Sequence, residues 1–369
     1  MMNQFEKEDR QLYRFALLLF TGFLFFGGLY FARDFLIPVS IAALMAMVML
    51  PVNRRLESWG MARSIAIIIC IIIIILIVAG FTFFFYYQME DLVQDFPSIR
   101  AKLNQQLEDF QLLIEEKAGV SQERQISFLK NQSATFLDFT SRYIRNMLMT
   151  ATETLAEIGL ATIYLFFFLF YRDKFENFLL RLIDESNNQR VKSIISNISK
   201  VTQQYLGGKL IVTVILSFYN TAGLKIVGFE DAIFWGVFGG ILNFIPYIGT
   251  FLGGFIPFLL ALVTYDSFGT PLAVALIFMS GQFLDNNFLT PIIVGSKVDL
   301  NPLFTIMALI IGGLLWGVAG LIIFIPFLGI VKVVFDNVSS LHPYGYLIGD
   351  ENKHFGLMII KKIKNAFQQ

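Results

Sequence analysis

The sequence predicts an all-α polytopic membrane protein with about eight transmembrane helices, a glycine-rich C-terminal hairpin region and an extramembrane helical insertion. Three observations predict it. Apolar residues make up 56% of the 369 and charged residues 15%, against roughly 45–50% and about 25% in an ordinary soluble domain. The excess is gathered into blocks, several of them 18 or more residues long without a charge, which is the length that crosses ~30 Å of hydrocarbon. The segments between the blocks carry apolar residues three and four apart, the spacing of amphipathic helices rather than strands.

Taken in order, a charged start with Lys7, Arg10 and Arg14 precedes the apolar stretch 15–32, which is too long for a signal peptide and is read as a retained first span. Arg33, Asp34 and Pro38 separate it from 36–50, giving a tight helical hairpin or one kinked pair. Segment 64–87 is the strongest span; its isoleucine-rich body ends in aromatics Phe83 to Tyr87, of the kind that mark a membrane interface. These elements make up an N-terminal transmembrane region, 1–87.

Residues 88–150 are polar, with Phe96, Ile99, Leu103, Leu107, Phe110 and Ile114 on one helical face, and are expected to form an extramembrane helical hairpin with a second helix after Gly119. The chain returns to the membrane at 154–171. Segment 172–209 is amphipathic and basic, with Arg172, Lys174, Arg181, Arg190, Lys192, Lys200 and Lys209, and the positive-inside rule places it in the cytoplasm. The rule also puts the N-terminus and the 51–63 loop inside, and 88–150 outside.

Further spans follow at roughly 209–227, 232–247, 250–265 and 271–295. The stretch 303–335 is longer than one crossing needs, and Gly312, Gly313, Gly317 and Gly320 permit a hairpin that enters and leaves on one side. The core transport region is thus 151–335, and 336–369 is a cytoplasmic tail whose lysines and isoleucines favour adsorption to the membrane. Glycine pairs with GxxxG spacing, Gly236 with Gly240, Gly249 with Gly253 and Gly313 with Gly317, are candidate close helix contacts.

Composition also excludes partners. The net charge is zero and the aromatics lie in apolar runs, so nucleic acid is not an expected partner. Cys70 sits in an isoleucine run, and His342 and His354 lie in the tail, away from any acidic cluster, so no metal site and no cofactor is expected. No GxxxxGK[ST] occurs, which argues against direct ATP hydrolysis, and no Ser/His pair, HExxH or GxGD pattern points to an enzyme.

The sharpest polar constellation is Gln282, Asp285, Asn286, Asn287, Thr290 and Pro291 within an otherwise apolar run. An acid at mid-span costs several kcal/mol unless paired or hydrated, which makes Asp285 a candidate for a substrate or ion path; the competing reading is a carboxylate that caps a broken half-helix. A second candidate is Asn243 to Gly249, where Pro246 and Gly249 mark a break and Asn243 and Tyr247 offer polar groups; a plain inter-helix turn would account for it as well. Pro291, Gly312 and Gly313 are the other expected helix breaks.

The blocks Ile245-Pro-Tyr-Ile-Gly249, Gln282-Phe-Leu-Asp-Asn286 through Pro291, Asn301-Pro302-Leu303 and the glycine-rich run ending in Ile325-Pro326 resemble, in order and spacing, those of the AI-2E family of exporters. Two positions depart from the usual pattern: Thr250, where a proline commonly follows, and Asp285, where glutamate is commoner. The resemblance implies a multi-pass protein of the bacterial inner membrane that exports a small polar molecule such as autoinducer-2, or exchanges sodium for protons. It further implies a homo-oligomer, of which a pentamer is one form. A non-transporting membrane scaffold is the alternative from another class.

Overall fold

Each apolar block of the sequence is a helix in the computed structural model, which describes residues 4–118, 157–181, 188–246, 248–265, 267–294 and 300–350. The helices are α1 (Gln4–Phe31), α2 (Arg33–Ser58), α3 (Arg63–Ala118), α4 (Glu157–Phe170), α5 (Arg172–Arg181), α6 (Asn188–Ile226), α7 (Ala232–Leu242), α8 (Ile248–Thr264), α9 (Gly269–Leu284), a π-helix (Asp285–Val294), α10 (Pro302–Asn337) and α11 (His342–Ile348). Among the described residues there is no strand. Among the described residues, six helical stretches are long and apolar enough to cross a membrane, and α4, α7 and α8 are shorter apolar helices. Side chains such as Phe23, Phe31, Leu76, Val214 and Phe218 on these stretches are exposed. A hydrocarbon surround is the solvent that suits such a surface.

The chain divides into two compact units, the first of residues 1–67, 159–203 and 296–369 and the second of 68–158 and 204–295. In the first, α1 and α2 are interrupted only at Ala32, with φ −91° and ψ 11°, so the kinked pair is the form adopted. At that kink the Leu29 carbonyl accepts from Trp316 Nε1 at 2.9 Å. Pro38 does not make the break: it lies buried inside α2.

α10 reverses direction. Gly317 has φ 57° and ψ −137°, a conformation open to glycine, and it folds the two arms together. A Cβ on Gly320 would collide with the Gly312 carbonyl, eight residues earlier, and Trp316 meets Phe324 edge-on at 5.2 Å between ring centroids. In a straight helix residues eight apart are ~12 Å distant. The hairpin is therefore present, but the expected breaks at Gly312 and Gly313 are corrected: both are helical, and Gly312 is a contact surface between the arms. For the same reason Gly313 and Gly317 are not a packing pair, since a Cβ on Gly317 would meet nothing.

The start of the tail belongs to the fold. Asn301 caps α10 through Oδ1, which accepts from the Leu303 amide at 2.9 Å, and the Asn301 amide donates to the Ile348 carbonyl of α11 at 2.8 Å. The lysines of 353–364 lie outside the described residues.

Most of α3 lies in the second unit, and it is one unbroken helix of 56 residues, so the boundary drawn at 87/88 falls inside an element. The second helix expected after Gly119 lies outside the described residues, as do the side chains of Phe96, Ile99, Phe110 and Ile114. The aromatic end of the span is split in function. Phe84 and Phe85 pack on a core of Leu224, Phe229, Phe234, Trp235, Ala261 and Val274, whereas Phe83, Tyr86 and Tyr87 are exposed.

Glycine sets α7 directly on α6. A Cβ on Gly236 would lie 2.6 Å from Thr221 Cα and one on Gly240 2.9 Å from Ser217 Cα, so the two backbones touch. Gly253 meets Gly239 in the same way between α8 and α7.

Candidate functional site

The site is built in the second unit, where two departures from regular helix and one close helix contact converge. The first is the break between α7 and α8. Pro246 lies in a turn at 243–246, and Gly249 lets α8 begin directly under the Leu242 carbonyl, which any Cβ would strike. This reversal presents Asn243, which is 4% exposed.

The second is the change from α9 to the π-helix at Asp285. Pro291 was expected to break this helix; instead it lies inside the π-helix, which continues to Val294. The ring of a proline clashes with the carbonyl four residues back in an α-helix, and the wider turn avoids it. The widening has a geometric result. Residues five apart point ~140° away from each other on an α-helix, but the i→i+5 repeat of a π-helix stacks them. Thr290 Oγ1 accordingly donates to Asp285 Oδ1 at 2.5 Å.

The third is the Gly207-Gly208-Lys209 step in α6. A Cβ on Gly208 would lie 3.0 Å from the Val294 backbone, so this glycine lets α6 lie against the end of the π-helix. Lys209 Nζ then stands 3.8 Å from Asp285 Oδ2.

The result is a buried polar cluster centred on a carboxylate that is 2% exposed. Asp285 Oδ2 accepts from Asn243 Nδ2 at 2.8 Å, and Asn243 Oδ1 accepts from Thr250 Oγ1 at 2.9 Å. Every donor in the chain from Thr250 through Asn243, and the donor from Thr290, points toward Asp285. The buried lysine, 8% exposed, is the matching positive charge. A buried ion of either sign alone is strongly disfavoured, and removal of one partner leaves the other uncompensated. The 3.8 Å separation means that the pair attracts without fixing a short hydrogen bond.

Beside the cluster is a cavity of about 10 Å³, lined by Asn220, Asn243, Thr250, Gly281 and Gln282 among others. That is room for one water-sized species. The Asn220 side chain is 4% exposed, and among the described residues its Oδ1 has no hydrogen-bond partner.

Of the site residues expected from sequence, Asp285 and Asn243 are brought together, and Gln282 reaches the cavity wall. Asn286 and Asn287 are not brought to the carboxylate. Asn286 Oδ1 accepts from Gln282 Nε2 on the exposed side, and Asn287 Nδ2 donates to the Phe283 carbonyl. Adjacent residues on a helix point in different directions, so neighbours of a buried Asp cannot share its face. Tyr247 lies outside the described residues. The capping alternative for Asp285 is not the arrangement found, since its carboxylate accepts from side chains.

Lys209, Thr250 and Asn220 were not singled out as site residues. Lys209 reads in sequence as the last of a cytoplasmic basic series, yet its side chain is buried against Asp285. Its place beside two glycines at the start of an apolar run was the available signal.

Comparison with known proteins agrees with the fold. The sequence profile described as AI-2E family transporter matches residues 19–340. A protein of Borreliella burgdorferi whose name assigns it provisionally to transport is 32% identical over 186 residues, 50% of this chain and 51% of that protein. The chain thus spans about half the length of the first of the curated relatives it matches. The AI-2 transport protein TqsA of Escherichia coli K12 is 23% identical over 88% of this chain and 92% of its own length. A sodium-lithium/proton antiporter of Halobacillus andaensis is 24% identical over 83% and 91% respectively. With the family profile covering most of the residues and the helices arranged as described, this chain belongs to the AI-2E transporter family.

Proposed function

We propose that the chain is a secondary membrane transporter in which Asp285 exchanges a proton or small cation against Lys209. The observation that carries this reading is the buried pair itself: a carboxylate with oriented oxygen-bearing neighbours, a lysine at 3.8 Å rather than in tight contact, and a cavity of one-water size beside them. A cation that reaches Asp285 finds oxygens from Thr250, Thr290 and Asn243 within the same cluster. It takes over the role of Lys209 as the balancing charge while the Lys209 ammonium gives up its proton to water, so one positive charge enters as one leaves and the site never carries an unpaired charge. The energy source is then an ion gradient.

The relative named as a sodium-lithium/proton antiporter supports this reading. Export of a small polar molecule such as autoinducer-2 is the second reading, supported by the similarity to TqsA and by the polar wall of Asn220, Asn243, Thr250 and Gln282. The site volume favours the cation.

The test is a pH-sensitive dye inside vesicles that contain the purified chain. Addition of sodium or lithium chloride outside is expected to move the internal pH, and potassium chloride to move it less. Efflux of a sugar-like solute with no pH response to either salt would transfer the assignment to the second reading. No flux of any kind would favour the scaffold.

A further inference from the structure

A second feature lies wholly within the first unit and takes no part in the Asp285 cluster. Between α2, the α4–α5 segment and the first part of α6 is a groove of about 650 Å³. That lies within the ~300–1,000 Å³ of sites that hold small ligands. Its two halves differ in chemistry. On α2, Ala43, Met47, Leu50 and Arg54 are among the residues that line it and form one helical stripe that runs from the apolar span to a charged end. Phe168 and Leu169 on α4 continue the apolar half.

The other half is basic. Lys192, Ser196 and Lys200 line it from α6 at spacings of four, so two ammonium groups flank a hydroxyl on one face. Arg172 also lines the groove, but its guanidinium is held by Asn53 and Glu57 at 2.6 and 2.5 Å. Among the described residues Glu176 is the one acid on the wall. Among the described residues no carboxylate pairs with Arg54, Lys192 or Lys200. Among the described residues, three cations without a carboxylate partner against one acid leave the polar end with a surplus of positive charge.

We infer that this groove binds an anionic phospholipid, its phosphate between Lys192, Lys200 and Arg54 and one acyl chain along Ala43, Met47 and Phe168. The apolar half decides between a lipid and a soluble anion. It is continuous with a candidate membrane span, and a soluble phosphate would leave those side chains without a partner. A basic pocket between membrane helices on the side that the positive-inside rule assigns to the cytoplasm is where an anionic headgroup is attracted. The seat does not depend on what the Asp285 cluster carries.

The experiment uses the full chain, delipidated in detergent and offered an equimolar mixture of dioleoyl phosphatidylglycerol and dioleoyl phosphatidylcholine, with bound lipid counted by native mass spectrometry. Wild type is expected to retain phosphatidylglycerol in preference to phosphatidylcholine. In K192Q/K200Q the preference should fall by about thirtyfold, the equivalent of two surface basic residues, and K192R/K200R should keep it. Both lysines are exposed, so the fold does not rest on them. Ser196→Asp provides an independent variant with the same expected loss. Equal retention of the two lipids by wild type, or unchanged preference in K192Q/K200Q and Ser196→Asp, overturns the inference. Displacement of the lipid by millimolar inorganic phosphate would overturn it in favour of a soluble-anion site.

Discussion

Two apolar stretches, 269–294 in the second unit and 302–337 in the first, both abandon the straight α-helix midway, and they do so by different means. The first widens into a π-helix that starts at Asp285 and runs through Pro291. The second turns sharply at Gly317 and presses Gly312 against Gly320. Widening keeps the chain running in one direction while it changes which side chains share a face, so a carboxylate and a hydroxyl five residues apart come together. Reversal brings backbone against backbone and places no ionisable side chain inside. A proline or glycine in a membrane helix is therefore not by itself a pointer to a site. What separates the two cases is whether the irregularity sets an ionisable group among polar partners.

The largest effect expected from this contrast is at the charged pair. Asp285→Ala strands Lys209 in a buried position and should destabilise the protein by about 3–5 kcal/mol, seen as a lower thermal midpoint in detergent. D285A/K209M removes both charges and should recover most of that loss without recovering transport. If the double variant is no more stable than D285A, the two side chains are not coupled.

Next comes the hairpin. Gly320→Leu forces a side chain into the Gly312 carbonyl and should cost about 1–3 kcal/mol or more, with a sharp drop in monodisperse yield on size-exclusion chromatography. Gly313→Leu meets only the end of the flexible Leu321 side chain, at 3.1 Å, and should be milder. Equal yields for the two variants would contradict the reversal at Gly317.

Thr290→Val keeps the shape and deletes the hydroxyl that the π-helix delivers to Asp285. A hydrogen bond to a charged group is worth about 1.5–3 kcal/mol, and an intermediate loss of thermal stability with reduced flux is expected. The same change at Thr250 acts one step further out, on Asn243, and should cost only about 0.5–1.5 kcal/mol. A larger loss at Thr250 than at Thr290 would mean that Asn243, rather than the π-helix, positions the carboxylate.

The fold was legible in the sequence because each crossing must be a long run of apolar residues, and those runs survive as α1–α3, α6, α9 with the π-helix, and α10. Asp285 was legible for the same reason, as an acid where hydrocarbon is expected. Its partners were not. Lys209 is 76 positions away, and its local surroundings, 188–209, have the charge pattern of a cytoplasmic helix. Asn286 and Asn287 were misleading because adjacency in sequence is not adjacency on a helix. Thr250 stood out only as a departure from the family pattern, with no hint that its hydroxyl would orient Asn243. The position of the hairpin turn was not readable either. Four glycines were available, and only the backbone shows that Gly317 takes the positive φ while Gly312 and Gly320 supply the contact.

The central claim is that the charge of Asp285, and not merely its hydrogen bonds, drives transport. Asp285→Asn tests it most directly, because the amide keeps the size and an acceptor oxygen for Asn243 or Thr290 while it removes the titratable group. Flux of sodium or lithium should be measured in vesicles across a range of pH for wild type and D285N, with folding checked by size-exclusion profile. The account predicts a variant that still folds, with a lower thermal midpoint because Lys209 loses its counter-charge, and whose flux falls sharply and no longer varies with pH. A D285N protein with wild-type flux and wild-type pH dependence would contradict it.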